Sequence, residues 1–479
     1  VDIMIERVDN GANLLKSHIF KFDFLNDDFS KLPKELKNII DEKPEKLVIY
    51  INPPYAEASS GNTPAGTGKN KSLVARGNKI SEVYKDILGK ANRELFAQFF
   101  MRIYKEIPNC IFSSFSKLKY INGTNFVKFR DVFKAKFLKG FICPANTFDN
   151  VIGEFPIGFL IWDTKIKEKI KNITVDIYDV ANKPDNNGQL PIVSKSQKNM
   201  QETNGSQKKS AQGVTTPCYI GKKNFYGDLP ASINKWIKEY DNNGKEIGYM
   251  NTRGNDFQNQ KFLCLLSQKG TLSVPDIVIT ENNLIPICVY FAVRHCIKPT
   301  WINDRDLFLY PNDLWEEDLE FQSDCLAFTL FHGQNRISAE EGINHWIPFS
   351  EAEVGAKDSF ESHFMKDFID GKIKPKETKE LLTERRSLKP IKFSKEAKDI
   401  FEAGRELWKY YHKHDLININ ASYYDIRKFF QGVDSKSGRM NNKSIDETYN
   451  KLIGNLRERM KILAKKIEPK IYEFGFLKK

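Results

Sequence analysis

Over residues 1–165, short apolar runs alternate with helical periodicity, the pattern of an α/β domain with a mostly parallel sheet. His18-Ile19-Phe20-Lys21-Phe22 predicts a short strand ending at Asp23. Leu47-Val48-Ile49-Tyr50-Ile51 is continuous and apolar, as in a strand covered on both faces. Asn52-Pro53-Pro54 ends it, because proline cannot donate to a ladder. The spacing then predicts a mobile Gly, Ser, Asn and Lys-rich loop over 56–78, a helix over 94–106 and a strand over 110–115. An amphipathic segment over 126–136 and strands over 140–143 and 157–162 follow.

Beyond Asp163 the pattern changes. Residues 183–217 are poor in apolar side chains and rich in Asn, Gln, Ser, Lys and Gly, the composition of a long linker. Residues 218–346 mix short aromatic runs with turn residues. From Ser394 the helical period returns, in Ala397-Ile400-Phe401-Gly404-Leu407-Trp408-Tyr411 and in Leu452-Leu456-Met460-Leu463-Ile467.

Composition narrows this picture. The chain has 479 residues, 40% hydrophobic and 28% charged, enough for about two to four domains with cores of their own. Whole-chain disorder is excluded, and no run approaches the ~18 apolar residues of a membrane helix. The start, Val1-Asp2-Ile3-Met4, has neither signal-peptide shape nor an initiator Met, which predicts a cytoplasmic chain that is part of a longer one. Seven cysteines without a CxxC pair predict reduced thiols, Cys218 after Pro217 among them as a packed one. The histidines form no metal-ligand spacing, so no metal is indicated. Residues 389–479 hold 21 Lys and Arg against 12 Asp and Glu, +9 of a net +12, a bias that suits a polyanion such as nucleic acid or a solvated helical surface.

The tetrapeptide Asn52-Pro53-Pro54-Tyr55 carries the most chemistry. It would arise by chance about once in a few hundred chains of this length, and it follows a predicted buried strand, where α/β sheets bind ligands. A planar amine is a poor nucleophile because its lone pair is delocalised. If its two N–H groups donate to the Asn52 side chain and the Pro53 carbonyl, the nitrogen can become tetrahedral. The prolines fix that carbonyl, and Tyr55 offers a ring on which a base can stack.

With these residues the chain resembles the NPPY-type amino-methyltransferases that use S-adenosylmethionine (AdoMet), specifically the N6-adenine DNA methyltransferases of restriction-modification systems. The resemblance implies catalytic roles for Asn52, Pro53, Pro54 and Tyr55. It also implies that Asp2 ends a strand and binds the AdoMet ribose, that Ile3 packs on its adenine, and that Asp23-Phe24 is the motif whose acid accepts from the adenine amine. Phe155, before the strand over 157–162, would stack the flipped target base against Tyr55. The family's glycine-rich AdoMet turn precedes the ribose-binding acid, so a Rossmann-like sheet incomplete at its N-terminus is implied. An upstream segment or partner subunit would complete it. The glycines of 61–68 follow the wrong strand to substitute.

The implied layout is a catalytic domain over 1–164, a connector over 165–217, a mixed α+β target-recognition domain over 218–390 and a basic helical region over 391–479. The implied partner is double-stranded DNA. Two segments, 290–296 with 301–306 and 328–336, mix aromatic, amide and Arg side chains of the kind that read base edges. They make Arg294, Arg305, Gln334 and Arg336 candidates for DNA contact. The alternatives are an RNA or protein amine methyltransferase and a catalytically silent recognition subunit.

Overall fold

The computed structural model describes residues 2–11, 15–53, 77–148, 151, 153–179, 218–240, 242–270, 277–373 and 390–479. Among them two compact units form, Val1–Leu229 and Pro230–Lys479.

The first unit is built on a six-stranded sheet of β1 (Val48–Ile51), β2 (Ile111–Lys117), β3 (Lys136–Pro144), β4 (Pro156–Asp163), β5 (Asn172–Asp179) and β6 (Cys218–Tyr226). Its spatial order is β1-β2-β4-β3-β5-β6. β1 pairs in parallel with β2 and β3 with β5, whereas β4 runs antiparallel between β2 and β3, and β6 antiparallel to β5. Four strands thus share one direction and two oppose it. Glycine is needed where β3 meets β4, since a Cβ on Gly140 would stand 2.6 Å from the Phe159 carbonyl oxygen.

One face of this sheet is sealed by aromatic packing. Phe112 and Trp162 meet Phe100 and Phe133 at ring-centroid distances of 4.8 Å (Phe100–Phe112) and 5.7 Å (Phe133–Trp162). Phe100 comes from the helix Leu95–Glu106, whose buried side also includes Phe96 and Ile103. The buried indole Nε1 of Trp162 donates to the Tyr120 hydroxyl at 3.2 Å. On the opposite face every strand contributes one ring: Tyr50, Phe115, Phe159, Phe141, Tyr178 and Tyr219 in spatial order, each touching the next at 4.9–6.4 Å or, for Tyr50, also reaching Phe159 directly. These rings are half-buried or exposed, with Tyr50 at 59%.

Several expectations hold and several do not. The runs at 47–51, 110–115, 140–143 and 157–162 and the helix over 94–106 lie where the pattern places them. The strand expected to end at Asp2 and Ile3 is instead the first turn of a helix, Asp2–Asp9, with both residues exposed. The segment 18–22 contributes one residue to a 3-10 turn, Lys16–His18, and then runs without ladder partners among the described residues. The sheet unit does not stop at residue 164, because β5 and β6 extend it to Leu229. A boundary drawn from composition missed this, since the polar insertion separates two paired strands. The linker over 183–217 lies outside the described residues, as does 56–76 of the expected loop. Cys218 is exposed at the start of the edge strand β6 rather than packed, and all seven cysteines are free thiols.

The second unit joins the expected recognition region and the helical C-terminus over one core, with buried residues from Ile233 to Leu477. A small sheet, β7 (Gly248–Asn251) between β8 (Cys264–Leu266) and β9 (Ile277–Ile279), packs with the helices Leu284–Cys296, Leu319–Leu330, Lys395–Tyr411 and Glu447–Glu473. The last two follow their apolar period, burying Ala397, Ile400, Leu407 and Trp408 in one and Leu456, Met460, Leu463 and Ile467 in the other. Ser422 caps the helix Tyr423–Gln431 in a reciprocal box with Asp425. No helix among the described residues is long and apolar enough to cross a membrane.

Candidate functional site

β1 delivers Asn52 to the carboxyl edge of the first sheet. It is held there by pairing with β2 and by the Ser113 hydroxyl, which donates to the Ile49 carbonyl at 3.0 Å. Asn52 is exposed and Pro53 buried, the disposition a side-chain acceptor beside a fixed carbonyl requires. Pro54 and Tyr55 lie outside the described residues. Because β4 runs antiparallel, its N-terminal end falls at the same edge. Ile157 pairs with Lys117, the last residue of β2, and Phe155 precedes it. Only β2 stands between β1 and β4, so their backbones are about 10 Å apart. Phe155 is half-buried, and its carbonyl accepts from Ala145 N–H at 2.9 Å. The sheet thus brings Asn52 and Phe155 to one edge.

Asp23 is exposed at the head of a tight turn. Its Oδ1 accepts from the Leu25 and Asn26 N–H groups at 3.0 and 3.2 Å, and its Oδ2 from the Asn26 side chain at 2.9 Å. The Asn26 amide, then the Leu25 N–H, holds this carboxyl below its ordinary pKa, so it is an anionic acceptor. Three of about four acceptor positions are taken, which leaves room for one further donor. This suits Asp23 as the partner of an adenine amine. Asp2 and Ile3, exposed on a helix, offer surface groups rather than a strand-end cradle.

Sequence reasoning missed what fixes this turn. Arg102, on the helix Leu95–Glu106, is 2% exposed and donates to the Phe24 carbonyl at 2.6 Å, the Asp27 carbonyl at 2.7 Å and Glu106 at 2.9 Å. Its guanidinium lies over the rings of Phe24 and Phe29 at 5.1 and 4.4 Å, and Phe24 stacks on Phe99. Ile80 N–H donates to the Leu25 carbonyl at 3.1 Å and Lys79 N–H to the Asn26 side chain at 3.1 Å. The Asp23 turn is therefore tied to the residues that follow segment 54–76, which itself begins with the catalytic candidates Pro54 and Tyr55. A buried Arg between aromatics was visible in the sequence only as one more position in a helical period.

In the second unit the DNA-contact candidates separate. Arg294 is 0% exposed, inside the helix Leu284–Cys296, and donates to the Gly254 carbonyl, the Asp256 carbonyl and the Tyr290 hydroxyl. Its charge clamps a loop, so it is withdrawn as a DNA contact. Arg305 is almost buried, bonded to Gln258 and 3.4 Å from Asp304, and is withdrawn for the same reason. Gln334 and Arg336 reach the surface beside each other.

The rings of His295 and His332 are 4.4 Å apart. Burial, aided by Arg427, pushes His332 down to about 3, and burial with the neighbouring His332 and Arg294 pushes His295 well below its ordinary value. Both are therefore neutral when folded, whereas unfolded imidazole takes a proton near pH 6.5. The sign follows: stability is full above pH 6.5 and is lost as pH falls towards 3. Urea unfolding at pH 7, 5.5 and 4.5 is expected to show this slope. In His332→Asn the slope becomes shallower because the amide does not titrate, while its Oδ1 can still take the Gln334 N–H that Nδ1 accepts at 3.2 Å. Equal slopes in the two proteins would rule His332 out as a contributor.

Some cations of the basic C-terminal region are paired. Lys466 pairs with Glu320 at 2.5 Å and with the buried Asp324 at 2.7 Å, Lys470 with Asp318 at 3.3 Å, Arg459 with Asp399 at 3.2 Å and Lys461 with Glu458 at 2.6 Å. Lys466 and Lys470 thus tie the last helix to acids outside 389–479, whereas Arg459 and Lys461 pair with acids already counted in the +9. Among the described residues, no group of three or more His, Cys, Asp or Glu side chains converges.

No family model and no curated protein matches this chain. Among solved structures, it is similar in part to one described as "ATP-dependent Type ISP restriction-modification enzyme LlaBIII bound to DNA". The match is 13% identical, covers 32% of this chain and 12% of that one, and has a TM-score of 0.19. So slight a likeness carries no argument, and the reading below rests on the residues themselves.

Proposed function

We propose that this chain transfers the methyl group of AdoMet to the N6 amine of an adenine flipped out of double-stranded DNA. The observation that carries the reading is an exposed Asn52 beside a buried Pro53 at the carboxyl end of a parallel strand, with Phe155 at the same sheet edge. The Asn52 side-chain oxygen and the Pro53 carbonyl hold the two N–H groups of the amine. The nitrogen pyramidalises as its lone pair leaves the ring, and Phe155 covers one face of the base. Asp23, kept anionic by its turn, accepts from the cofactor's adenine amine. AdoMet would supply an electrophilic methyl: the amine nitrogen bonds the methyl carbon as the carbon–sulfur bond breaks, S-adenosylhomocysteine leaves, and the extra proton on nitrogen passes to solvent.

Among the described residues β1 is an edge strand, with Val48 72% and Tyr50 59% exposed on one face. An apolar strand without a second ladder partner among the described residues supports completion of the cofactor site by a further segment or partner subunit. The test is transfer of labelled methyl from AdoMet to unmethylated DNA, followed by digestion and identification of the labelled nucleoside. Label in N6-methyladenine is expected. Label in another nucleoside, or on protein or RNA instead, would overturn the adenine-DNA reading.

A further inference from the structure

The loop after the helix Leu319–Leu330 is held unusually firmly for a surface turn. Leu265 N–H donates to the Gln334 carbonyl and Arg336 N–H to the Leu265 carbonyl, both at 3.0 Å. Arg427 grips the Gly333 carbonyl at 3.1 Å. Asn335, 4% exposed, turns inward and bonds the Thr329 and Leu330 carbonyls at 3.3 and 3.4 Å. With Asn335 inward in this bridged, strand-like backbone, Gln334 and Arg336 share the outward side. There the Gln334 side-chain oxygen accepts from Arg336 Nε at 3.1 Å and from NH2 at 2.8 Å. The amide thus takes up one edge of the guanidinium and fixes its plane. Arg336 is exposed, and among the described residues no carboxylate pairs with it.

We propose that Arg336, held in plane by Gln334, reads one guanine in the major groove of the target duplex, an inference that rests on the DNA reading above. The second edge of the fork, NH1 with NH2, matches the O6 and N7 acceptors of guanine, which no other base pair presents side by side. An amide orients the arginine without neutralising it. A carboxylate in its place would cancel the charge that draws the fork to an acceptor pair. Fixing the plane beforehand removes side-chain entropy that a free surface Arg would lose on binding.

The experiment retains random-sequence duplexes on the full chain and sequences them, for the unaltered protein, Arg336→Ala, Arg336→Lys and Gln334→Ala. Labelled methyl transfer is measured on the same duplexes. The unaltered protein is expected to enrich a motif with an obligatory G. Arg336→Ala should lose that G preference by about 5- to 150-fold while keeping the other positions. Arg336→Lys should behave like Ala at that position, since a lone ammonium lacks the planar fork, and Gln334→Ala should lose less. An unchanged motif in Arg336→Ala, an even fall at every position with recovery by Lys, or no enriched motif would overturn the guanine reader. Methyl transfer with an unchanged motif sinks the reader alone. A motif relaxed at one position without any transfer sinks the methyltransferase reading alone.

Discussion

Asn52→Ala is expected to lower methyl transfer by at least about 10²- to 10³-fold while leaving duplex binding and stability close to those of the unaltered chain. The side chain is exposed at the end of β1, so truncating it opens no buried cavity. What it removes is an acceptor for one amine N–H, and without it the nitrogen lone pair stays in the base ring. Asn52→Asp keeps an oxygen at that place and should retain more transfer than Ala. Labelled-methyl turnover, with binding read separately by fluorescence anisotropy of a labelled duplex, distinguishes chemistry from recognition. Equal loss of both would assign Asn52 to structure.

The same residue shows why part of the site was legible in the sequence. A continuous apolar run ended by two prolines states both a strand and its terminus, because proline stops pairing whatever surrounds it. Phe155 could be placed beside Asn52 only through β4, and the run 157–162 does not say that this strand runs backwards between β2 and β3. The direction of a strand is a property of its neighbours. His18–Phe22 failed as a strand for a similar reason: His18 closes a 3-10 turn, and Ile19 to Phe22 join no ladder among the described residues. Arg294 failed differently. Its charge advertised a surface role, yet the carbonyls of Gly254 and Asp256 and the Tyr290 hydroxyl offer acceptors to the terminal nitrogens of the buried guanidinium, and only the fold brings those groups together.

Arg102→Ala is expected to be the most damaging single change in the first unit, costing about 3–5 kcal/mol of stability and most AdoMet affinity together. Arg102 is buried and donates to two backbone carbonyls and to Glu106, so truncation leaves the Phe24 and Asp27 carbonyls without that donor and a void among Phe22, Phe24 and Phe29. Glu106 is part-exposed and also accepts from the Tyr84 hydroxyl at 2.9 Å, so it tolerates the loss better than the carbonyls do. The Asp23 turn would then hang from its own hydrogen bonds and those to Lys79 and Ile80. Arg102→Lys keeps the charge and the alkyl stem but cannot serve both carbonyls and Glu106 from one planar fork. It should fall between Ala and the unaltered chain in urea midpoint and in cofactor affinity measured by calorimetry. If Arg102→Ala unfolds at the same urea concentration as the unaltered protein, the clamp contributes nothing to stability. If it is destabilised but binds cofactor normally, the Asp23–Phe24 turn is not where the adenine is held.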